Sequence, residues 1–582
     1  MRIRELTIRN FRKIRDLTVE FPPGLAVLVG ENNAGKTAVI DALRLILFPG
    51  RDFDALRLNE DDFRRGAERA AIEISCSFCD LSPSDEARFL ECLVKVADDK
   101  FEVRLNVRAE FNPLTSRVNV KAWGGETEGG SLPSNLYDNI SSVYLQPLRD
   151  PESGLRPGRH SQVARLIRRL TPEDKKEDFE NIVETANIGI RDLDSVKAAR
   201  TDINDQMRQI AGDKLTQETE LIFSDPEFSR IIGGLFPEID GLPFGLNGLG
   251  YNNLVFTAAT LSTLRKSDQF SFRSIIIEEP EAHLHPQLQV LLLKYLSTVS
   301  AEKGGNEVQV IVSSHSPILA SQAPVDAIVS IHETDSGDVV SVSIASLPFN
   351  EITKKKLRRY LDATRGELFF ARRVLMVEGI AEVLLLPLLA YASGGDLKKA
   401  AVTIVNVDGI NFDAFLPLFG NNALRIPVAI LTDGDADRIG GNPSATAVAL
   451  KGREADIPNL RVKLSARTFE HELARNPTFL GWMVAALKVL HPQIGADIED
   501  ALALIVGDDA KADYFYEEVF KERDTSKGRF AQELATLIDE KLILAEDVPA
   551  YISEALSFLE VIPDANEASA APQGDNPGAA AD

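Results

Sequence analysis

The sequence has few cysteines, no long apolar run and no excess of positive charge. Its 582 residues include only Cys76, Cys79 and Cys92, and so sparse and odd a set argues against a disulfide scaffold and for a reducing, cytoplasmic setting. No apolar run approaches the ~18–20 residues that span a bilayer, so we expect no membrane partner. Lys and Arg number 64 against 88 Asp and Glu, a formal charge of −24. Nucleic acid would therefore have to bind through a local basic patch or through metal ions that bridge to phosphates.

Cys76 and Cys79 form a CxxC, the spacing of many zinc ligands. The surrounding segment AAIEISCSFCDL alternates like a β-strand, which puts positions three apart on opposite faces. No second Cys or His pair is close in the sequence, so a plain strand is favoured over a zinc site.

The pattern of apolar residues divides the chain into regions of different structure. Short alternating stretches predict strands over 70–145, and apolar spacings of three and four over 173–222 predict helices. Two later apolar runs, RRVLMVEG and IPVAILTD, each end in carboxylates and are separated by helical sequence. That alternation predicts a second α/β domain with a parallel sheet.

GENNAGKT, which begins at Gly30, fits the phosphate-binding pattern GxxxxGK[ST] between a strand and a helix. Backbone N–H groups of such a loop bind phosphates, and the helix N-terminus favours negative charge there. Lys36 would reach the outer phosphates, and Thr37 would ligate Mg²⁺. The predicted ATP-binding residues of the loop are Gly30, Asn32, Asn33, Gly35, Lys36 and Thr37.

An acidic pair follows the strand SIII. Glu278 is placed to hold Mg²⁺ through water, and Glu279 to polarise an attacking water. Three weaker features join them: Gln146 at the end of a strand, a Gly-rich turn before a helix, and His315 after a strand.

The order of these motifs resembles the ATP-binding-cassette (ABC) ATPases of the SMC and recombination-repair type. LTIRNFRKIRDLTVEF and EEPEAHLHPQLQ look like that group. The resemblance implies that Gly248 and Gly250 of one subunit contact ATP held by Lys36 of another, and hence a homodimer or larger assembly. Two positions depart from the group: its usual Mg²⁺-binding Asp is Glu278, and its signature Ser-Gly-Gly is Asn-Gly-Leu-Gly.

A second set of acids follows apolar strands late in the chain. Its members are Glu378 and Glu382, then Asp433, Asp435 and Asp437, then Glu470 and Glu472. Strand ends of a parallel sheet lie at one edge, where converging carboxylates raise one another's pKa and divalent cations remove that penalty. Oxygen ligands suit Mg²⁺, Mn²⁺ or Ca²⁺ rather than zinc. The alternative for any single acid, most of all Asp437, Glu470 and Glu472, is a solvated helix cap.

The ExxxE of Glu378 and Glu382 and the DxD of Asp433 and Asp435 look like a Toprim domain. An ABC ATPase followed by Toprim resembles the OLD (overcoming lysogenisation defect) family nucleases, and the tandem also matches the Gabija-type anti-phage nuclease. In that family a late Lys in a KG-F-A context assists cleavage, and Lys527 matches it. Beside a metal-bound phosphate, a Lys can neutralise charge in the transition state; without the resemblance, Lys527 is more simply a surface residue at a helix start.

The expected fold is α/β and multidomain, with an SMC-like P-loop ATPase followed by a Toprim domain with a parallel sheet. The expected segments are the ATPase at 1–160 and 236–345, a helical dimerisation insertion at 161–235, a basic linker at 346–370, Toprim with its own helical insertion at 371–560, and a disordered tail at 561–582.

These features predict a DNA endonuclease or nickase that cleaves by a two-metal mechanism and binds ATP with Mg²⁺, in phage defence or DNA repair. Glu378, Asp433 and Lys527 would be catalytic, with Glu279 catalytic in the ATPase. Two alternatives remain: an ATP-switched DNA-binding module without cleavage, or a Toprim RNA nuclease. A helicase partner stays open.

A basic stretch is the predicted DNA contact, the alternative being a solvated helix face. Its members are Lys354, Lys355, Lys356, Arg358, Arg359, Arg365, Arg372 and Arg373.

Overall fold

The computed structural model describes residues 1–48, 56, 58–66, 70–97, 100–129, 132–133, 135–147, 154–158, 161–265, 270–301, 307–334, 336–437, 440–538 and 543–563. The predicted disordered tail lies, from 564 onward, outside these residues.

Within the described residues, strands lie between 2 and 145, between 238 and 343, and between 373 and 464. They are β1 (Arg2–Phe11), β2 (Ile14–Glu20), β3 (Leu25–Val29), β4 (Ile72–Cys79), β5 (Leu93–Ala97), β6 (Lys100–Asn112), β7 (Arg117–Gly124), β8 (Ile140–Leu145), β9 (Glu238–Ile239), β10 (Leu242–Pro243), β11 (Phe272–Glu278), β12 (Gln309–Ser313), β13 (Ile328–Glu333), β14 (Val339–Ser343), β15 (Arg373–Val377), β16 (Val402–Asn406), β17 (Val428–Thr432) and β18 (Leu460–Leu464).

Helices separate these strands and make up most of the last hundred described residues. They are α1 (Lys36–Leu47), α2 (Pro83–Arg88), α3 (Gln162–Leu170), α4 (Lys176–Arg191), α5 (Asp194–Ala211), α6 (Phe228–Gly233), α7 (Leu249–Arg265), α8 (Pro286–Ala301), α9 (Pro317–Gln322), α10 (Glu351–Tyr360), α11 (Ile380–Ala392), α12 (Ala445–Gly452), α13 (Phe469–Ala474), α14 (Pro477–Leu490), α15 (Pro492–Leu504), α16 (Asp508–Tyr516), α17 (Lys527–Leu537) and α18 (Ala550–Phe558).

The chain divides into two compact units, the first made of Met1–Arg12, Pro23–Ala26 and Thr37–Ser314. In this unit β1, β4, β6, β5 and β7 pair as an antiparallel sheet. β8, β11 and β12 pair in parallel, with all of β11 and β12 buried. The strands predicted over 70–145 are therefore confirmed. Of the helical region predicted over 173–222, α4 and α5 form as expected as far as Ala211, whereas 212–222 is not helical. The CxxC cysteines lie on β4 as free thiols.

The second unit contains Lys13–Pro22, Val27–Lys36 and the chain from His315 onward. Within it, β3 pairs in parallel with β13, and β13 pairs in antiparallel with β14. Val27 to Val29 are fully buried, so the end of β3 is a rigid support for the Gly-rich loop that follows.

A four-stranded parallel sheet in the second unit has the order β16-β15-β17-β18. Its strands are short and apolar because helices cover them. Leu375 and Val377 of β15 belong to a core cluster that also contains Leu386 of α11, Phe479 of α14 and Ile552 of α18. The predicted second α/β domain with a parallel sheet is confirmed. In the part of the chain that the structure describes, no helix is long and apolar enough to cross a bilayer.

Acid is expected to destabilise the second unit through His332. This side chain lies on β13, is 5% exposed, and accepts a 3.4 Å hydrogen bond at Nε2 from the backbone N–H of Arg425. Burial and the nearby Arg425 charge lower the pKa of His332 from 6.5 to about 4. Because the unfolded chain then takes up the proton first, stability is lost as pH falls from about 6.5 to about 4, by up to about 3 kcal/mol.

The measurement is the thermal midpoint between pH 7.5 and pH 5 for the wild type and His332→Leu. On acidification the thermal midpoint of His332→Leu should fall by less than that of the wild type. The control His491→Leu, at an exposed position, should show the same fall as the wild type. Equal acid sensitivity in wild type and His332→Leu would contradict this account.

Candidate active site

The acidic site lies at the carboxyl ends of two adjacent strands. Glu378 directly follows β15 and Asp433 directly follows β17, and these strands pair in parallel through Met376 and Ile430. The chain passes from β15 to β16 on one side and later to β17 on the other. A crevice forms where the strand order reverses in this way, and it is the usual ligand site of such sheets.

Glu378 is held in place by hydrogen bonds from the neighbouring strand end. Its Oε1 accepts from the Thr432 hydroxyl and, at 2.9 Å, from the backbone N–H of Asp433. The two acids predicted from separate strands are therefore in contact. Thr432 was not predicted from the sequence, because a Thr at the end of a strand is too common to indicate a role.

Asp433 connects this strand edge to the N-terminus of α13. Its Oδ1 accepts from the backbone N–H of Phe469 at 2.9 Å and from the hydroxyl of Ser465 at 3.3 Å. Phe469 is the first residue of α13, so the contact brings the next residue, Glu470, to the site. Burial, followed by the negative charges of Glu378 and Glu470, raises the pKa of Asp433 well above its ordinary value.

Glu382 lies in the first turn of α11 and is 8% exposed. Burial raises its pKa, with further contributions from Glu470 and Glu378, to about 7. Lys527 at the start of α17 supplies the positive charge of the cluster, and its Nζ is 2.8 Å from Glu470 Oε2. Burial lowers the pKa of Lys527, but the charges of Glu470 and Asp433 outweigh it and raise the pKa above its usual value. We name Glu378, Glu382, Asp433, Glu470 and Lys527 the carboxylate cluster.

The other predicted acids do not join the carboxylate cluster. Asp435 and Asp437 are exposed, and Asp435 is fixed by its backbone N–H, which donates to the carbonyl of Arg467 at 2.9 Å. Its positive φ of 53° is one that Asp tolerates better than most residues. Glu472 instead accepts from the backbone N–H of Ala466 and from Arg475.

A polar network around α13 was also not predicted from the sequence. The buried Arg467 donates to Asp513 at 2.6 Å and to Glu517 at 2.8 Å, and Nε2 of the buried His471 lies 2.9 Å from the same Asp513 oxygen. These contacts fix the α13 turn that carries Glu470. Asp513 and Glu517 are forty or more residues further along the chain, so no local pattern indicates the network.

Divalent ions fit the donors of the carboxylate cluster. Four carboxyl groups face one ammonium there, an excess of negative charge that Mg²⁺ or Mn²⁺ would offset. Among the described residues, however, no three Asp, Glu, His or Cys side chains form a ready-made metal group. The Thr432 hydroxyl and Lys527 hold oxygens of Glu378 and Glu470, so the donors would have to rearrange to bind an ion.

The Gly-rich loop of the second unit has the backbone expected of a phosphate-binding loop. Gly30 and Gly35 have φ of +147° and +109°, and a Cβ on Gly30 would lie 1.9 Å from the carbonyl oxygen of Ile331. Lys36 is 3% exposed, and its ammonium donates to the carbonyls of Gly30 and Glu31 at 2.5 and 2.7 Å. Asn33 has a φ of +64°, and Asn32 precedes it in the same turn.

Glu278, at the end of β11 in the first unit, is 4% exposed and accepts a hydrogen bond from the Tyr144 hydroxyl. Burial raises the pKa of Glu278, which the Tyr144 bond partly offsets. The guanidinium of Arg44 lies 4.1 Å from the centre of the Tyr144 ring, and Arg44 pairs with Asp41 on the same helix. These residues line one face of α1, the helix on which Thr37 is the second residue.

Five further predicted residues lie where the motifs place them in the chain. Glu279 has a φ of +44°, and its N–H donates to the Ser313 carbonyl at 2.9 Å. Gln146 follows β8 and is exposed, and His315 follows β12. A Cβ on Gly250 would lie 2.5 Å from the carbonyl oxygen of His283, whereas one on Gly248 would meet nothing within 4 Å.

Five of the eight residues of the predicted basic surface form ion pairs or hydrogen bonds with other residues of the chain. Arg365 pairs with Asp362 and Asp408, and Arg373 pairs with Glu560. The other paired members are Lys354 with Asp326, Arg358 with the Ala323 carbonyl, and Arg372 with Glu31 of the Gly-rich loop. Lys355, Lys356 and Arg359 on α10 are exposed. The segment 346–370 contains α10 and a 3₁₀ turn at Arg365–Phe370, so it is more ordered than the predicted linker.

Two family models match the chain. The model "AAA ATPase domain" matches residues 1–120 and 128–320, more than half of the chain. The chain belongs to this ATPase family. The model "Overcoming lysogenization defect protein-like, TOPRIM domain" matches residues 369–435. That range includes Glu378, Glu382, Asp433 and Asp435 but ends before Glu470 and Lys527, whose place in the site rests on the geometry above.

The relatives are OLD-type and repair proteins. The chain is 28% identical over 405 residues to the "OLD nuclease" of Thermus scotoductus, covering 65% of this chain and 72% of that protein. It is 23% identical over 451 residues to "Endonuclease GajA" of Bacillus cereus, covering 75% of each. It is 37% identical over 109 residues to "DNA repair protein RecN" of Xylella fastidiosa, 19% of this chain and 18% of that one. The tandem of ATPase and OLD-like Toprim, with the resemblance to OLD and Gabija-type proteins, is therefore confirmed.

The Asp433–Asp435 loop is expected to tolerate no side chain at Gly434. A Cβ there would lie 2.2 Å from the Ser465 carbonyl oxygen, and such overpacking costs about 1–3 kcal/mol. Gly434→Ala should therefore lower the thermal midpoint, as measured by scanning calorimetry. Gly452→Ala on α12 is the matched control, because nothing lies within 4 Å of its Cβ position. A Gly434→Ala variant as stable as the control would contradict the described packing of this loop.

Proposed function

We propose that this protein is a metal-dependent DNA endonuclease or nickase whose Toprim site is coupled to an ATP-binding domain. The carboxylate cluster is the observation that supports this most. Four acids from two strand ends and two helices meet beside a single Lys, an arrangement that would cost stability unless cations and a phosphate use it. The names of the OLD and GajA relatives support the same activity.

In this proposal Glu378, Glu382, Asp433 and Glu470 hold the ions, with Asp435 and Asp437 able to approach from the exposed loop. Bound Mg²⁺ or Mn²⁺ would supply an activated water for attack on the phosphodiester and charge stabilisation for the leaving oxygen. The Lys527 side chain is 46% exposed. It can therefore turn from Glu470 to the phosphate and neutralise charge that develops there. Glu472 instead pairs with Arg475, so we assign it no ion.

We further propose that ATP with Mg²⁺ binds at Lys36 and Thr37, with Glu278 at the ion and Glu279 and His315 at the attacking water. Gly248 and Gly250 would contact the nucleotide of a second subunit, so the working form is a homodimer or larger. The helices of 161–235 supply exposed apolar side chains, among them Ile182 and Ile210, that a partner copy could cover. Phage defence or DNA repair is the proposed setting, in line with the names of the relatives.

Loss of the Glu378 charge is expected to abolish cleavage. Glu378→Gln keeps an oxygen that can accept from Thr432 and Asp433 but removes the negative charge, and Glu378→Ala removes both. Both variants should nick or linearise supercoiled plasmid at least about 100-fold more slowly in Mg²⁺ or Mn²⁺, because a metal donor is lost. Both should still bind ATP.

Asp500→Asn is the control, since Asp500 is an exposed acid on α15. Wild-type cleavage rates in Glu378→Gln would exclude the Toprim site as the nuclease centre. A wild type that binds ATP and DNA but cuts no DNA in either metal would favour the ATP-switched binding module, and cleavage of RNA alone would favour the RNA nuclease.

Lys36→Met is expected to remove the response of the nuclease to ATP. The substitution deletes the ammonium that would reach the outer phosphates, so ATP affinity should fall by at least about tenfold. Plasmid cleavage without nucleotide should match the wild type, while the change that ATP causes in the wild-type rate should disappear. Calorimetric titration of ATP and paired cleavage assays measure both effects. A Lys36→Met enzyme that still responds to ATP would place the effector site elsewhere.

A further inference from the structure

A cleft of about 220 Å³ opens beside Asp433 and Asp435 in the second unit. One wall is the segment with Ile410 and Phe412, and the other is α12 with Thr446, Ala447 and Leu450. The acids of the Asp433 loop form one end, so whatever enters the cleft lies next to the proposed cleavage site.

Apolar side chains supply part of the lining of the cleft. Ile410 is 61% exposed although the cleft adjoins a charged site, and Phe412 is buried. The volume is below the ~300–1,000 Å³ of pockets for drug-sized ligands. A single planar ring between Ile410 and α12 fits both the size and the apolar lining.

The polar groups of the cleft suit the edge of such a ring. Arg453 contributes to the lining, and its guanidinium is 3.5 Å from Asp413 in a pair whose side chains are 52% and 75% exposed. An exposed pair of this kind is weak, so the guanidinium is free to exchange partners. Guanidinium groups stack on and hydrogen-bond to nucleobases, and the exposed Thr446 hydroxyl adds a donor and an acceptor.

The cleft is fixed to the carboxylate cluster by the backbone. The N–H of Ser444 donates to the Gly434 carbonyl at 2.8 Å, and the Ser444 hydroxyl caps α12 by accepting from the N–H of Ala447. The first turn of α12 is thereby attached to the loop between Asp433 and Asp435. A group bound in the cleft would therefore keep a constant position relative to the acids.

We propose that this cleft is a base subsite: it receives one nucleobase of the strand being cut, adjacent to the scissile phosphate. The inference rests on the proposed nuclease function and adds to it a contact that positions the substrate. It assigns the recognition of that base to Ile410, Thr446 and Arg453, residues outside the carboxylate cluster.

Abasic substrates test the base subsite. An end-labelled DNA duplex whose cleavage position has been mapped in Mn²⁺ is compared with duplexes that carry an abasic residue immediately on either side of that position. The wild type should cut one of the abasic duplexes with kcat/KM lower by about fivefold or more, because stacking in the cleft is lost.

Thr446→Phe fills the cleft and should cut the intact duplex only as fast as the wild type cuts the abasic one. Its retained rate on the abasic duplex shows that it is folded. Val448→Phe is the matched control on α12, since Val448 is 55% exposed and does not line the cleft; it should discriminate as the wild type does.

Equal cleavage of intact and abasic duplexes by the wild type would overturn the base subsite and leave the nuclease proposal standing. The base subsite would also be overturned if Thr446→Phe discriminated between intact and abasic duplexes as strongly as the wild type does, or if it cut neither duplex. A wild type that cuts none of the duplexes would overturn the proposed function and the base subsite with it.

Discussion

The cost of burying several carboxyl groups close together is the constraint on which the site of the second unit depends. Glu382 and Asp433 both have raised pKa values, and burial is the main cause in each case. The fold opposes this cost with the Lys527 ammonium, the Thr432 hydroxyl and backbone N–H donors. These interactions hold the acids together but leave negative charge in excess. That uncompensated charge would attract divalent cations to the site.

The positions of the acids follow from the parallel sheet. The apolar strands β15 and β17 pair in parallel, and helices pack on the face that carries Leu375 and Leu431. The carboxyl ends of the two strands therefore emerge side by side. The same rule explains the Gly-rich loop after β3 and the acid after β11. Each half of the chain thus uses the end of a buried strand to place charged groups that the core itself could not accept.

Sequence alone predicted the elements and the local motifs, but not which acids meet. Glu378 and Asp433 were predictable because each ends an apolar run. Glu470 and Glu472 were indistinguishable in the sequence, since their separation depends on the orientation of one short helix, which the Asp433–Phe469 contact fixes. The basic stretch was overestimated as a surface, because the partners of Arg365 and Arg373 lie more than forty residues further along the chain. Apart from Thr432, the site contacts that the sequence did not reveal are tertiary contacts.

Anomalous diffraction from crystals grown with Mn²⁺ tests the central claim most directly. The account predicts anomalous density at the ends of β15 and β17, with oxygens of Glu378 and Asp433 at about 2.0–2.4 Å from an ion, a typical range for hard divalent cations. The Thr432–Glu378 bond should then be broken or lengthened. Crystals saturated with Mn²⁺ that show no density there, with the Lys527–Glu470 pair and the Thr432 bond unchanged, would contradict the account.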